Sequence, residues 1–165
     1  MILVVVGLHK QGFKRLIEKM DEISPNVDDE IIMQIGHTNF IPKNVKYFKF
    51  KSNEEIMNLY MSSDIVITHG GVGSIMTALK YGKKVISVPR LSKYGEHKND
   101  HQLDIVDMFS KKGLIKVVYD VDDLLLEIYN VKNGTYDGTD YRFDEERSHL
   151  IMYLTNYLGK IKEIS

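Results

Sequence analysis

The stretch DIVITHGGVGSIMTALKYG (64–82) decides the fold. Residues 64–68 form a short apolar run of the kind that is buried on both faces of a parallel sheet. Glycines follow at Gly70, Gly71 and Gly73, and a helical pattern sets in at Ser74. Strand, glycine turn and helix in that order predict an anion cradle. The first N–H groups of the helix and its positive dipole end face back toward the turn. Glycines let the backbone approach a ligand closely and take dihedrals that other residues avoid. Ser74 either caps the helix or donates to a phosphate oxygen. The dinucleotide fingerprint G-x-G-x-x-G is missing, because Met76 stands at its third glycine, and no G-K-[ST] closes the run as in a P-loop. The predicted cradle is therefore a diphosphate site of another type. The competing reading is a tight strand–helix turn with packing glycines. His69, which closes the strand, is either a structural histidine or a diphosphate contact.

The alternation extends outward in both directions. Apolar runs at 2–6, 30–35, 84–88 and 115–119 predict strands, and 45–50 a shorter one. Helical patterns occupy 11–23, 53–62, 74–81, 100–112 and 121–130. This order predicts an α/β fold: one Rossmann-like domain, a parallel sheet with helices on both faces and right-handed crossovers. The domain is expected to span 1–130. Residues 131–165 form a second region, in which 130–141 is rich in Asn, Gly, Asp and Thr and reads as an exposed loop. A terminal helix is expected over 143–162, with Leu150, Leu154, Tyr157 and Ile161 on one stripe. It either packs back on its own sheet or docks on another chain.

Composition narrows the class. The chain has 165 residues and a net charge of −1, so no basic field argues for nucleic acid. It has no cysteine, which excludes disulfides and thiolate metal sites and fits a reducing compartment. The opening MILVVVGLHK turns polar after a few residues, too soon for a signal peptide or a membrane span. A cytoplasmic protein is expected, with any membrane contact made through a partner.

In an open parallel sheet, ligands bind beyond the carboxyl ends of the strands. The loops at that rim are GLHKQG (7–12), QIGH (34–37), HGGVGS (69–74) and PRLSKYGEHKNDHQ (89–102), and they hold five of the six histidines. In the last of them His97 and His101 are four apart, with Glu96 and Asp100 close by, which is a possible metal set. No third ligand is specified, so polar contacts from Asn99, Asp100 and Gln102 to a ligand's hydroxyls are the preferred reading, against a plain helix cap at Asn99 or Asp100. No metal and no cofactor are expected. DVDD (120–123) precedes an amphipathic run and reads as a helix cap rather than a metal motif.

Taken together, H-G-G-x-G-S-I-x-x-x-L-x-x-G-K, V-P-R and G-E-H-x-N-D-H-Q-L resemble the C-terminal, nucleotide-sugar-binding half of GT-B glycosyltransferases of family 28. The resemblance covers roughly residues 1–130 and is strongest to stand-alone halves. These include the small cytosolic subunit of the dolichol-pathway UDP-GlcNAc transferase and the counterparts that build capsule and exopolysaccharide. It implies half of an inverting transferase that moves a sugar from a UDP-sugar to a lipid-linked saccharide. A membrane-anchored partner would carry the GT-B N-terminal, acceptor-binding half, and the terminal helix would become a docking element. Length agrees, since a whole GT-B enzyme has two such domains.

The resemblance also implies roles. Gly70, Gly71, Gly73 and Ser74, with His69 beside them, would meet the donor diphosphate. Asn99, Asp100, His101 and Gln102 would meet the donor sugar. Gly7, His9, Gln34 and Gly36 would border diphosphate and base. The general base is implied on the partner half; His9 is the candidate on this chain. Thr77 departs from the family, which commonly has an acidic residue there for the ribose hydroxyls. A neutral hydroxyl forfeits a charge-assisted hydrogen bond of roughly 1.5–3 kcal/mol for one of about 1. That substitution also fits an alternative, a non-catalytic subunit that stabilises or enhances the transferase.

Overall fold

A computed structural model describes residues 1–96 and 101–134, with His101 described by its backbone alone. Among these residues six strands form one fully parallel sheet: β1 (Ile2–Val5), β2 (Ile31–Gln34), β3 (Lys46–Phe48), β4 (Ile65–Thr68), β5 (Lys84–Ser87) and β6 (Lys116–Val117). Their order is β3-β2-β1-β4-β5-β6. The crossovers carry α1 (Lys14–Ile23), α2 (Asn53–Ser62), α3 (Val72–Lys80) and α4 (His101–Lys111), and α5 (Leu124–Lys132) follows β6.

The strands are near-continuous apolar runs because both faces are covered. Alternate residues divide between two cores. Ile2, Val4, Val6, Ile65, Ile67 and Ile86 pack with α1 and α5 through Leu16, Ile17, Met20, Leu124 and Ile128. Leu3, Val5, Val66 and Val85 pack on the other face with Tyr60, Ile75, Leu79, Val106 and Phe109 of α2, α3 and α4. The two edge strands are short, and β3 carries the exposed Lys46, features that discourage further pairing.

Two connections are pinned by polar contacts. The Asp21 carboxylate, 5% exposed, accepts from the backbone N–H groups of Lys43 and Asn44 and ties the β2–β3 connection to the end of α1. Ser52 and Glu55 form a reciprocal capping box at the start of α2. Its Glu55 carboxyl, exposed to solvent, is held down to about 2 by hydrogen bonds from Lys51 first and then from Ser52.

Several expected boundaries shift. The strand expected over 115–119 pairs only at Lys116 and Val117. The first helix begins at Lys14 rather than 11, since Gly12 is left-handed at φ 63°. Asp120 caps, as expected, a short 3-10 turn at Val121–Asp123, whereas Asp123, directly before α5, makes no capping bond. The terminal helix expected over 143–162 lies outside the described residues. No helix among the described residues is long and apolar enough to cross a membrane.

Candidate functional site

The strand order reverses direction at β1, so the loops leaving β1 and β4 diverge to opposite faces and open a crevice between them. His69 sits in that crevice. Its backbone N–H continues the ladder to the Val5 carbonyl at 3.2 Å, and its ring Nδ1 lies 3.3 Å from the same oxygen. A carbonyl only accepts, so Nδ1 carries the proton in that contact, and Nε2 of the neutral ring is an acceptor. A diphosphate contact through Nε2 then requires the imidazolium.

The three glycines of the turn do three different things. Gly70 supplies a left-handed bend at φ 86°. Gly71 has ordinary dihedrals, but a Cβ on it would lie 2.4 Å from His69 Nε2, and one on Gly7 would lie 2.7 Å from the same ring. Gly73 is helical, and a Cβ there would meet nothing within 4 Å. So Gly71 and Gly7 make room for the imidazole, while Gly73 leaves open space at the helix end.

The helix begins at Val72 with Gly71 as its cap, two residues earlier than the periodicity indicates. Ser74 is therefore not the cap. It lies in the first turn and lines the cleft beside the turn, as Tyr60 does. The first intrahelical bond runs from the Ile75 N–H to the Gly71 carbonyl. The N–H groups of Val72, Gly73 and Ser74 have no acceptor among the described residues. They supply the partial positive charge of the helix start.

Beside this turn is a cleft of about 360 Å³ lined by Val5, Gly7, Leu8, Gln34, Lys51, Asn53, Ile56, Met57, Tyr60, Gly73, Ser74 and Thr77. It brings together Gly7, Gln34, Gly73, Ser74 and Thr77 of the expected site. Among the described residues its lining has no carboxylate and one cation, Lys51, which is paired with Glu55 at 2.8 Å. Gly36 is not on its lining but packs against the β1 loop, where a Cβ would be 3.2 Å from the Gly7 carbonyl. The Thr77 hydroxyl donates to the Gly73 carbonyl at 2.7 Å, so its proton is committed to the helix and only its lone pairs remain for another partner. His9 is exposed, and its Nδ1 accepts from the Gln11 N–H at 3.3 Å.

Gln102 and Val106 share one face of α4, and Val106 would press a Cβ on Gly70 at 3.1 Å. Gln102 thus lies one turn nearer the helix start on the face that meets the glycine turn. Its Oε1 is buried without a partner, as is Ser87 Oγ, which lies 3.4 Å from the Cβ position of Gly70. Native interiors seldom leave such oxygens unpaired, and ligand sites are where they do. Asn99, Asp100 and His97 lie outside the described residues, as does the His101 side chain. No metal-binding cluster of His, Cys, Asp and Glu occurs among the described residues. Glu96, a candidate member of one, is instead gripped by Arg15 through two bonds of 2.9 Å and accepts from the Leu91 N–H at 3.0 Å.

Two arginines were missed in sequence, and they hold the rim together. Arg90 is 1% exposed; it donates to the Gly12 and Val6 carbonyls and lies 4.7 Å over the Phe13 ring. Burial lowers its pKa to about 10, which leaves it cationic. Arg15 reaches from α1 to Glu96 and to the Pro89 carbonyl at 3.0 Å. Together they bind the β5–α4 loop to the β1–α1 loop. The only sequence signal was V-P-R itself, an arginine three residues past the end of a buried strand.

A cavity of about 350 Å³ at the amino ends of the strands is lined by Asp29, Asp64, Lys83, Lys84 and Lys132. These charges are spent on one another and on backbone: Lys132 pairs with Asp29, and Lys83 and Lys84 donate to the Met61 and Val131 carbonyls. It is structural.

The fold recurs among solved structures. The chain aligns with the solution structure of ALG13 at 17% identity and a TM-score of 0.59, covering 85% of this chain and 89% of that one. It aligns with Acinetobacter baumannii MurG at 16% identity and 0.54, covering 79% and 41%. It aligns with the glycotransferase of kitacinnamycin at 19% identity and 0.61, covering 94% and 39%. The chain thus spans about two fifths of the length of the last two. No curated protein matches it in sequence. The model of the glycosyltransferase family 28 C-terminal domain matches residues 1–135, across the glycine turn, the V-P-R loop and the start of α4, and the chain belongs to that family.

Proposed function

We propose that this chain is the donor-binding half of a two-component glycosyltransferase, which moves a sugar with inversion from a UDP-sugar to a lipid-linked saccharide. The observation that carries the reading is the start of α3. Three backbone N–H groups without acceptors among the described residues lie there beside a glycine that leaves the approach open, in a cleft whose described lining has no carboxylate. The diphosphate lies at that helix start, the ribose near Thr77, the base between Gly7, Gln34 and Gly36, and the donor sugar toward Gln102. As the sugar leaves, negative charge grows on UDP, and fixed N–H groups and the helix dipole stabilise it without reorganising.

The acceptor hydroxyl must lose a proton. A base on the partner half takes it, with His9 as the candidate from this side. The partner is a membrane-anchored subunit with the acceptor-binding GT-B half, so this chain works at the cytoplasmic membrane surface without spanning it, in capsule, exopolysaccharide or related glycan synthesis.

Calorimetric titration of UDP and UDP-sugars into the chain, alone and with its partner subunit, tests the reading. Saturable binding in at least one state is expected, and no binding in either sinks it. The neutral, backbone-bound Thr77 favours a second reading, an assisting subunit with a vestigial cradle. On that reading Ser74→Ala and Gln102→Ala leave transfer by the reconstituted pair unchanged; on ours both lower it.

A further inference from the structure

We propose that Ser87 is a positioning residue for Gln102: with the donor bound, its buried hydroxyl gives its proton to Gln102 Oε1 and holds the amide's Nε2 outward to the donor sugar. This rests on the donor-binding reading above. Among the described residues three buried side-chain atoms have no hydrogen-bond partner: Ser87 Oγ, Arg90 Nε and Gln102 Oε1. All three belong to the segment from the end of β5 to the start of α4. Arg90 is turned away from the other two, since its remaining nitrogens donate to the Val6 and Gly12 carbonyls. Ser87 and Gln102 share one face of the sheet. Val85 packs in one core cluster with Ile105, Val106 and Phe109 of α4. Ser87, two residues further along β5, points to that same face, and Gln102 extends the α4 stripe by one turn toward the rim. Both border Gly70: a Cβ there would lie 3.4 Å from Ser87 Oγ and 3.1 Å from Val106.

Packing alone gives no reason for a serine at this place. Ser87 is 0% exposed on an apolar face, where a hydroxyl without a partner weakens the fold. Gln102 is half-buried, and Oε1 rather than Nε2 is its buried unpaired atom, so the amide stands with its oxygen inward. Proton counting keeps it there once Ser87 engages it. With Oε1 inward, the single Ser87 proton meets an acceptor. With the amide reversed, two N–H protons and the Ser87 proton would be left with Ser87 Oγ as their acceptor. Ser87 therefore selects the orientation, and the group offered to the donor sugar is a hydrogen-bond donor that seeks a sugar oxygen.

The full chain, alone and with its partner subunit, is titrated by calorimetry with UDP and with UDP-glucose, UDP-galactose, UDP-N-acetylglucosamine and UDP-glucuronate. The sugar nucleotide that binds more tightly than UDP is then titrated into Ser87→Ala, Gln102→Ala and the double variant. Melting curves verify that each is folded, and Ser87→Cys, whose thiol is a weak donor, replaces an alanine variant that does not fold. Expected are a loss of about three- to tenfold for the sugar nucleotide in Ser87→Ala, unchanged UDP binding, and a double variant no weaker than Gln102→Ala. The positioning role is overturned if Ser87→Ala binds the sugar nucleotide like the wild type, weakens UDP by the same factor, or adds its full loss on top of Gln102→Ala. It is also overturned if the wild type binds UDP but none of the four sugar nucleotides more tightly. A wild type that binds none of the five ligands in either state overturns the donor reading itself, and the positioning role with it.

Discussion

His69 and Gly71 share one volume: the imidazole occupies the space that a side chain at Gly71 would need, 2.4 Å from its Cβ position. Gly7 yields to the same ring from the β1 side at 2.7 Å. The loops after β1 and β4 are thus spaced by a histidine rather than by direct backbone contact. This separates the glycines that serve the protein from the one that serves a ligand.

The separation predicts opposite outcomes for two alanines. Gly71→Ala must displace His69, at a cost of roughly 1–3 kcal/mol. Gly73→Ala sits in a helix with open space around it, so it gains up to about 1 kcal/mol of helix propensity. Urea unfolding should show the first variant less stable and the second more stable than the wild type. If an anion sits against the bare Gly73, calorimetry should show that the second has nonetheless lost UDP affinity.

Restoring a carboxylate at position 77 should tighten the ribose contact. Thr77→Glu exchanges a neutral hydrogen bond for a charge-assisted one, a difference of roughly 0.5–2 kcal/mol, or about two- to thirtyfold in Kd. The gain should appear for UDP and vanish for its 2′,3′-dideoxy analogue. An equal gain for both would place the ribose elsewhere.

The β5–α4 loop hangs on Glu96, whose carboxylate meets Arg15 and the Leu91 N–H while 8% exposed. Glu96→Ala leaves a partly buried guanidinium and a buried N–H without their acceptor. A loss of about 3 kcal/mol in urea unfolding is expected, in the range for broken buried pairs. Faster proteolysis between β5 and α4 should accompany it.

The Glu55 cap sets an acid dependence. Its carboxyl falls from 4.5 to about 2 on folding, through Lys51 and then Ser52. A depressed folded-state pKa stabilises the fold above the unfolded value, and that contribution is lost as pH falls toward the folded one. The stability difference between wild type and Glu55→Gln should therefore be constant above pH 4.5 and shrink between pH 4.5 and 2. A difference that holds its size through this window would mean that the cap does not depend on the charge.

The sequence by itself determined the sheet and the rim. Each strand core, and the glycine turn between β4 and α3, rests on local apolar runs and turn chemistry, which act over a few residues and can be read in order. Whether Ser74 capped its helix was not legible, because Gly71 takes that place only once His69 is seated between it and Gly7. Nor were Arg90 and Arg15, since their partners lie 78 to 84 and 74 to 104 residues away in the chain. The unpaired Oε1 of Gln102 and Oγ of Ser87 are likewise products of packing. Periodicity fixes which residues face inward. Which buried polar groups find partners, and which are left for a ligand, is settled only when distant segments close around them.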